Sequence, residues 1–383
     1  MATAQIALIG AGRIGKIHSL ALQQLEARTG TDVHLAVLVD PYAEDLADRA
    51  TAWGWTATSR DPFEVIGRED IDTIIIATPN SSHHELAMAA IQAGKTVVCE
   101  KPLAGTLEQA DEMTRAAEQL DVRTATGFVF RAWPVVQHAA RLIQAGKIGE
   151  PFGFTGTMRH GYGLKSSRSL GWRGDNPQLG TGALVDIGSH ITDIARTMMG
   201  DIESVSANLI NVVPTRFDQH GVSYPSPIDD AAFLALRFVG GGSGHVNASW
   251  AAAGYGTELS FEVLGAKGSL AFSWRSNAEL TLGTPDGHRS VWQLDQSEAR
   301  DPQFGEVAGL GVGYVGAFAA FYRQHLSPTE SVPTFRDGLH NMAVLSAARD
   351  SAAAGGHHVP VALPHVDVSQ AARTRREAGP ASR

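Results

Sequence analysis

Ile6-Ala7-Leu8-Ile9-Gly10-Ala11-Gly12-Arg13-Ile14-Gly15 is the stretch on which the fold turns. An apolar run leads into Gly-x-Gly-x-x-Gly, and a helix-patterned segment follows. Each glycine then has its own task. Gly10 permits a tight turn, Gly12 lets a pyrophosphate approach the backbone, and Gly15 lets the helix pack closely on the strand. Arg13 and Ile14 occupy the variable positions, where the helix start offers free N–H groups and a partial positive charge to phosphates. The glycines alone are a weak signal. The strand before them and the helix after them give the motif its weight.

Working outward, further apolar runs occur at Leu35–Val39, Thr73–Ala77, Val97–Cys99 and Arg123–Thr126. They are nearly continuous, as in parallel strands covered on both faces. Amphipathic stretches such as His83–Ala93 and Leu107–Leu120 lie between them. This alternation predicts an α/β Rossmann domain, a doubly wound parallel sheet. Asp40 ends the second run, where a carboxylate accepts both ribose hydroxyls of NAD and repels the 2′-phosphate of NADP. No arginine follows directly in Pro41-Tyr42, so NAD is expected over NADP. A simple capping role for Asp40 is the competing reading. Thr78, Pro79 and Asn80 follow the Thr73–Ala77 run at the edge of the sheet where ligands bind, and His83 opens the next helix. They are expected to wall the cofactor, although an ordinary Pro-Asn turn reads the same way.

After about Phe130 the pattern changes. Pro134–Ala145 reads as a helix and Phe152–Arg159 as a strand, followed by a Gly-, Ser- and Arg-rich loop and a strong helix from Ala183 to Met199. Strands are expected at Ser204–Val212, Ala231–Val239, Gly244–Trp250, Leu259–Leu264, Ser269–Phe272 and Glu279–Leu282, then helices at Val315–His325 and Asp337–Ala353. Runs of strands with segregated helices imply an α+β domain with a large, mostly antiparallel open sheet. The expected division is residues 1–128 for the NAD-binding domain, 129–365 for a substrate and oligomerisation domain, and 366–383 for a disordered tail. Pro214–Ile228 is long for a strand connection and reads as an interface element, a lid or a mobile loop.

The 383 residues are 43% apolar and 19% charged, enough for two cores. A net charge of −9 argues against nucleic acid or anionic membrane as partners. No secretory signal or membrane-spanning run is expected. One cysteine, Cys99, rules out an intramolecular disulfide and fits a cytoplasmic location, and it reads as a packed hydrophobe.

Two constellations carry chemistry. Glu100-Lys101-Pro102 follows a strand end, where Lys101 can bind a substrate oxygen and Glu100 can fix the lysine or contact the cofactor's ribose. A surface ion pair is the plain alternative. Asp186 and His190 stand four apart, on one face of the expected helix, opposite the apolar stripe Ala183, Ile187, Ile191, Ile194 and Met198. Histidine is the natural base for an alcohol proton near neutral pH. Half a metal site and a capped helix start with a solvated His are the competing readings; no further ligands stand at convincing spacing, and no metal is expected. Arg131, Arg159, Tyr162, Trp172, Arg173 and Tyr314 supply donors or flat faces suited to a sugar.

In this order the glycine loop, Ala77-Thr78-Pro79-Asn80, Glu100-Lys101-Pro102 and Asp186-x-x-x-His190 resemble the Gfo/Idh/MocA family across nearly the whole chain. The resemblance implies a catalytic set of Lys101, Asp186 and His190: His190 as acid/base, Lys101 as oxygen binder and Asp186 as orienting group. The Trp172-Arg173 to His190 stretch and Gly311-Val-Gly-Tyr314 look like the levoglucosan dehydrogenase subgroup. The implied activity is NAD-dependent oxidation of a ring hydroxyl of a sugar, anhydrosugar, glycoside or cyclitol, by a homodimer or homotetramer paired through the open sheet. An NAD-dependent glycosidase acting by transient oxidation, which cleaves its bond without net NADH, and a non-catalytic sensor are the rivals. The same site running in reverse would reduce a ketosugar.

Overall fold

Unbroken apolar runs become one parallel sheet. The computed structural model describes residues 3–29, 32–165, 182–217, 221–274, 279–293, 313–326 and 332–364. Its first sheet pairs β1 (Ala4–Ile9), β2 (Val33–Val39), β3 (Ala57–Ser59), β4 (Thr73–Ile76), β5 (Thr96–Cys99) and β6 (Thr124–Thr126) in the order β3-β2-β1-β4-β5-β6. All five pairings are parallel. Leu8, Leu38, Ile75 and Val98 are fully buried, and so are Ala7, Ile74, Ile76 and Val97 beside them, because helices cover both faces. Those helices are α1 (Arg13–Thr29), α2 (Leu46–Ala52), α3 (Pro62–Ile66), α4 (His83–Gln92) and α5 (Leu107–Gln119). Strand order reverses between β1 and β4, which opens a crevice at the carboxyl ends of β1, β4 and β5.

Cys99 ends β5 with its side chain sealed in this core. Its Sγ faces the Leu103 carbonyl at 3.7 Å. Burial, aided by the nearby Glu100 charge, holds the thiol well above its usual pKa.

The chain continues through α6 (Pro134–Gln144) and β7 (Pro151–His160) to the helix that carries Asp186 and His190. The expectation of a single α-helix over Ala183–Met199 needs correction. Residues Leu184–Gly188 form a π-helical turn, and the regular helix α7 begins only at Ser189, running to Met199. The apolar stripe is buried as expected, but the i, i+4 spacing of Asp186 and His190 spans a π insertion, a feature that often marks functional sites.

The second sheet adds β8 (Ile202–Ile210), β11 (Ala231–Phe238), β12 (Ser243–Ser249), β13 (Thr257–Gly265), β14 (Gly268–Ser273), β15 (Glu279–Gly283), β16 (Arg289–Gln293) and β17 (Val359–Pro360). Their order is β16-β15-β14-β13-β7-β12-β11-β8-β17, antiparallel except for the β7–β12 pair. On β11, Leu234, Leu236 and Phe238 are buried, while Phe233 and Arg237 point to the open face. The Pro214–Ile228 connection holds a hairpin of β9 (Thr215–Phe217) and β10 (Ser223–Pro225). Arg216 of β9 is 1% exposed and pairs with Asp230, which also accepts N–H bonds from Val212, Val213 and the Trp250 indole.

The last helices return to the first sheet. α8 (Gly313–Leu326) packs on α1, and α9 (Phe335–Ala353) packs on both α5 and β8. The Thr126 amide donates to the Pro333 carbonyl at 2.7 Å. A side chain at Gly338 would meet Leu103 and Thr126 at 2.8 Å, so this contact demands glycine.

Candidate active site

The glycine loop has the shape its sequence requires. Gly10 adopts φ +109°, and a Cβ there would stand 2.6 Å from the Ala77 carbonyl oxygen. A Cβ on Gly15 would come within 2.0 Å of the Gly10 oxygen. At Gly12 a Cβ would meet nothing within 4 Å, so the backbone is bare where a pyrophosphate would approach. Arg13 beside it is exposed, and Ile14 packs on the core. Asp40 is tied into this loop: its carboxylate accepts from the Ala11 amide at 2.9 Å and from the Tyr42 and Ala43 amides at 2.9 and 3.0 Å. Asp40 therefore ties up its own turn and does not cap the next helix, since α2 has Asp45 as its N-cap. Arg49 of α2 braces the loop further by donating to the Ala11 carbonyl at 2.6 Å. These residues fit a bound NAD.

The two strand-end loops are bolted together by His83. Its Nδ1 lies 3.0 Å from the Pro102 carbonyl and its Nε2 3.0 Å from the Thr78 carbonyl. Burial pushes its pKa down, so the ring is neutral and donates to one of the two. His83 and Asn80 are buried, and the Thr78 hydroxyl accepts from Ser82 at 2.7 Å.

Lys101 then reaches across to the helix of the second part of the chain. Its Nζ donates to the Asp186 carbonyl at 2.5 Å and to Oδ1 of the same residue at 3.0 Å. The Tyr162 hydroxyl donates to Asp186 Oδ2 at 3.2 Å. His190 is 3% exposed, and its buried Nδ1 has no hydrogen-bond partner among the described residues. Phe130 stands edge-on to its ring at 5.0 Å and Phe128 at 6.4 Å. Burial, helped by the positive charge of Lys101, holds His190 well below the ordinary histidine pKa. The arrangement combines a cation able to hold an oxygen, a carboxylate bridging it to a tyrosine, and a neutral imidazole with a lone pair.

The N-terminus of the helix is fixed by Asp229. Its Oδ2 accepts from the Leu184 amide at 2.7 Å, and burial raises its pKa to about 6. A Cβ on Gly182 would collide with this carboxylate, at 1.8 Å.

Not every expected residue joins the cluster. All three guanidinium nitrogens of Arg131 are spent on Asp193 and Asp337, and the pair pins the segment before α6 to α7 and α9. Arg159 lies on the open face of β7, over the Tyr255 ring and 3.7 Å from Glu258. Trp172 and Arg173 lie outside the described residues, as do the side chain of Tyr314 and the 366–383 tail.

Sequence reasoning passed over His160. It is buried, its ring lies 5.1 Å from that of Tyr162, and burial pushes its pKa down against the opposing pull of the Asp186 carboxylate. The signal was strand parity. Phe154 and Met158 point inward on β7, so His160 does too, and Arg159 must point away.

Comparison with known proteins decides the lineage. Residues 4–128 match the profile described as oxidoreductase family, NAD-binding Rossmann fold, and residues 136–271 match the GFO/IDH/MocA C-terminal domain. The chain belongs to the Gfo/Idh/MocA oxidoreductase family. Among the family's characterised members, levoglucosan dehydrogenase of Pseudarthrobacter phenanthrenivorans is 30% identical over 379 residues, covering 92% of this chain and 97% of that one. The scyllo-inositol 2-dehydrogenase (NAD(+)) of Bacillus subtilis is 29% identical over 73% of this chain and 77% of its own. A solved levoglucosan dehydrogenase in complex with NADH and levoglucosan superposes with a TM-score of 0.83 at 30% identity, over 94% of this chain and all of that one. This fold, with its parallel six-stranded sheet and mostly antiparallel second sheet, is the family fold, and its NAD-binding domain is present here.

Proposed function

We propose that the protein oxidises a ring hydroxyl of a sugar, anhydrosugar, glycoside or cyclitol, with NAD as hydride acceptor, and that Lys101, Asp186 and His190 carry the reaction. The convergence of Lys101 on Asp186 beside the neutral His190 supports this reading. Bound NAD would supply a hydride acceptor, held by the Gly10–Gly15 loop, Asp40, the Thr78–Asn80 turn and Glu100. His190 takes the hydroxyl proton, Lys101 holds the oxygen as negative charge grows on it, and Asp186 aims the ammonium. Tyr162 binds a neighbouring hydroxyl through the edge it shares with Asp186. The anhydropyranose class ranks first, because the levoglucosan dehydrogenase relative aligns over 92% of the chain. The test is NADH formation from NAD or NADP with levoglucosan, glucose, several glycosides, and myo- and scyllo-inositol. Absence of NADH with all of them, from protein that binds NAD, would overturn the assignment.

The low pKa of His190 sets a pH profile. A histidine at its ordinary value loses its lone pair as pH falls through about 6.5. Held lower by burial, His190 stays neutral to more acidic pH. The acid limb of kcat/KM is therefore expected below pH 6.5, and a limb at 6.5 or above would count against His190 as the base.

We also propose domains of 1–128 and 129–365, and a cytoplasmic location. The family profiles, which end at 128 and resume at 136, support the boundary. The sealed thiol of Cys99 suits a reducing compartment, and no helix among the described residues is long and apolar enough to cross a membrane. Homo-oligomerisation through the open sheet is supported by Phe233, Leu264 and Val291, which are exposed there. A dimer or tetramer is expected by light scattering at micromolar concentration, and a monomer would refute it.

A further inference from the structure

Glu100 is 8% exposed, and beyond its proposed contact with NAD its carboxylate has a second set of partners inside the protein. Its surroundings are closely built. His18, fully buried on α1, places Nε2 3.2 Å from Glu100 Oε1. The other ring nitrogen, Nδ1, meets the hydroxyl of Tyr322 on α8, itself 1% exposed. Glu100 Oε2 accepts the backbone N–H of Lys101 at 3.1 Å. On the remaining side Gly127 closes the space, since a Cβ there would stand 2.9 Å from Oε1. Phe318 stands edge-on to the His18 ring at 4.7 Å and fixes its plane.

With His18 in its neutral form, these contacts admit one consistent proton order. A carboxylate only accepts, so Nε2 of a neutral His18 must carry the hydrogen. Nδ1 is then an acceptor and takes the tyrosine hydroxyl. The order runs Tyr322 O–H to Nδ1, Nε2–H to Glu100, and Lys101 N–H to the second carboxylate oxygen, with every group paired.

From this geometry we infer that His18 and Tyr322 are positioning residues for the dehydrogenase reaction: they lock Glu100, and Glu100 locks the backbone from which Lys101 reaches Asp186. The three parts come from separate places. His18 lies on the helix that begins at the glycine loop, Glu100 follows β5, and Tyr322 lies on α8 near the end of the chain. The chain thus joins the helix that receives the cofactor phosphates to the lysine that receives the substrate oxygen. Neither His18 nor Tyr322 reaches the reacting atoms, and both act through Glu100. The inference rests on the proposed role of Lys101.

The test uses the full-length protein. Tyr322→Phe removes only the hydroxyl, and His18→Gln keeps an N–H for Glu100 while His18→Leu does not. In Tyr322→Phe and His18→Leu, kcat on the best substrate of the sugar panel is expected to fall roughly 10- to 100-fold, as for a displaced catalytic group. KM for NAD should change much less than kcat, because the glycine loop and Asp40 are untouched and only the Glu100 contact is disturbed, and His18→Gln should recover much of the loss. A purely structural role would instead lower stability and cofactor affinity together, with no rescue. Nitrogen-15 spectra of the histidines need no substrate: the wild type should show His18 protonated at Nε2, and Tyr322→Phe should keep that tautomer while the Nδ1 signal shifts with the loss of its hydrogen-bond donor. Wild-type kcat in Tyr322→Phe, or His18 protonated at Nδ1 alone in the wild type, overturns the inference. Full activity in Lys101→Ala would instead overturn the catalytic assignment on which it rests.

Discussion

Lys101→Ala is expected to lower kcat by about 10²- to 10³-fold while NAD still binds, because the lysine acts on an oxygen whose charge grows only as hydride leaves. Its side chain is 10% exposed and already spans the gap from the end of β5 to Asp186. Removal leaves the Tyr162 hydroxyl on Asp186 Oδ2 but takes away the ammonium. A growing alkoxide would then face a carboxylate with no intervening cation. Lys101→Arg should rescue poorly, since a planar fork cannot replace a compact ammonium at both the Asp186 carbonyl and Oδ1. The decisive measurement is kcat for NADH formation beside the Kd for NAD by calorimetry. A loss of NAD binding equal to the loss of rate would mean that Lys101 serves the cofactor, not the chemistry.

The largest stability effect should come from Arg216→Met. Arg216 and Asp230 are 1% and 0% exposed, so the substitution strands a carboxylate in the core. Breaking a buried ion pair from one side typically costs about 3–5 kcal/mol. The Val212 and Val213 amides and the Trp250 indole still serve Asp230, which argues for the lower end of that range. The double variant Arg216→Met with Asp230→Asn should recover part of the loss, because a neutral amide costs less to bury. Urea unfolding measures both, and an unchanged midpoint for the single variant would refute the argument. Arg216 also donates to the Gly163 carbonyl at 3.2 Å, one residue beyond Tyr162, so substrate KM should rise as well.

How legible all this was follows from which residues carry local signals. The strands of the first sheet announced themselves because burial on both faces demands apolar residues in sequence. β3 did not: Ala57 and Thr58 are exposed at the sheet edge and show no apolar run. The glycine loop, Lys101 and the Asp186–His190 pair were legible because backbone approach and strand ends impose residue types at fixed spacing. The π turn was not, since periodicity cannot distinguish an inserted residue from a regular helix. Arg131 and Arg159 looked alike as donors, yet one is spent on Asp193 and Asp337 and the other lies on the far face of the sheet. Only long-range pairing separates such arginines. The same holds for His18 and Tyr322, which are 304 positions apart in sequence and touch in space.

Cys99 gives the molecule its own opening clock. The thiol ends the strand that leads into Glu100 and Lys101, and it is fully enclosed with its ionisation suppressed. A thiol reagent can reach it only when the structure around the end of β5 opens. The rate of alkylation in native buffer therefore counts excursions of the catalytic edge, one molecule at a time, with a natural reporter and no engineered label. NAD bound at the crevice between β1 and β4 should slow that clock, and more so the further its concentration exceeds its Kd.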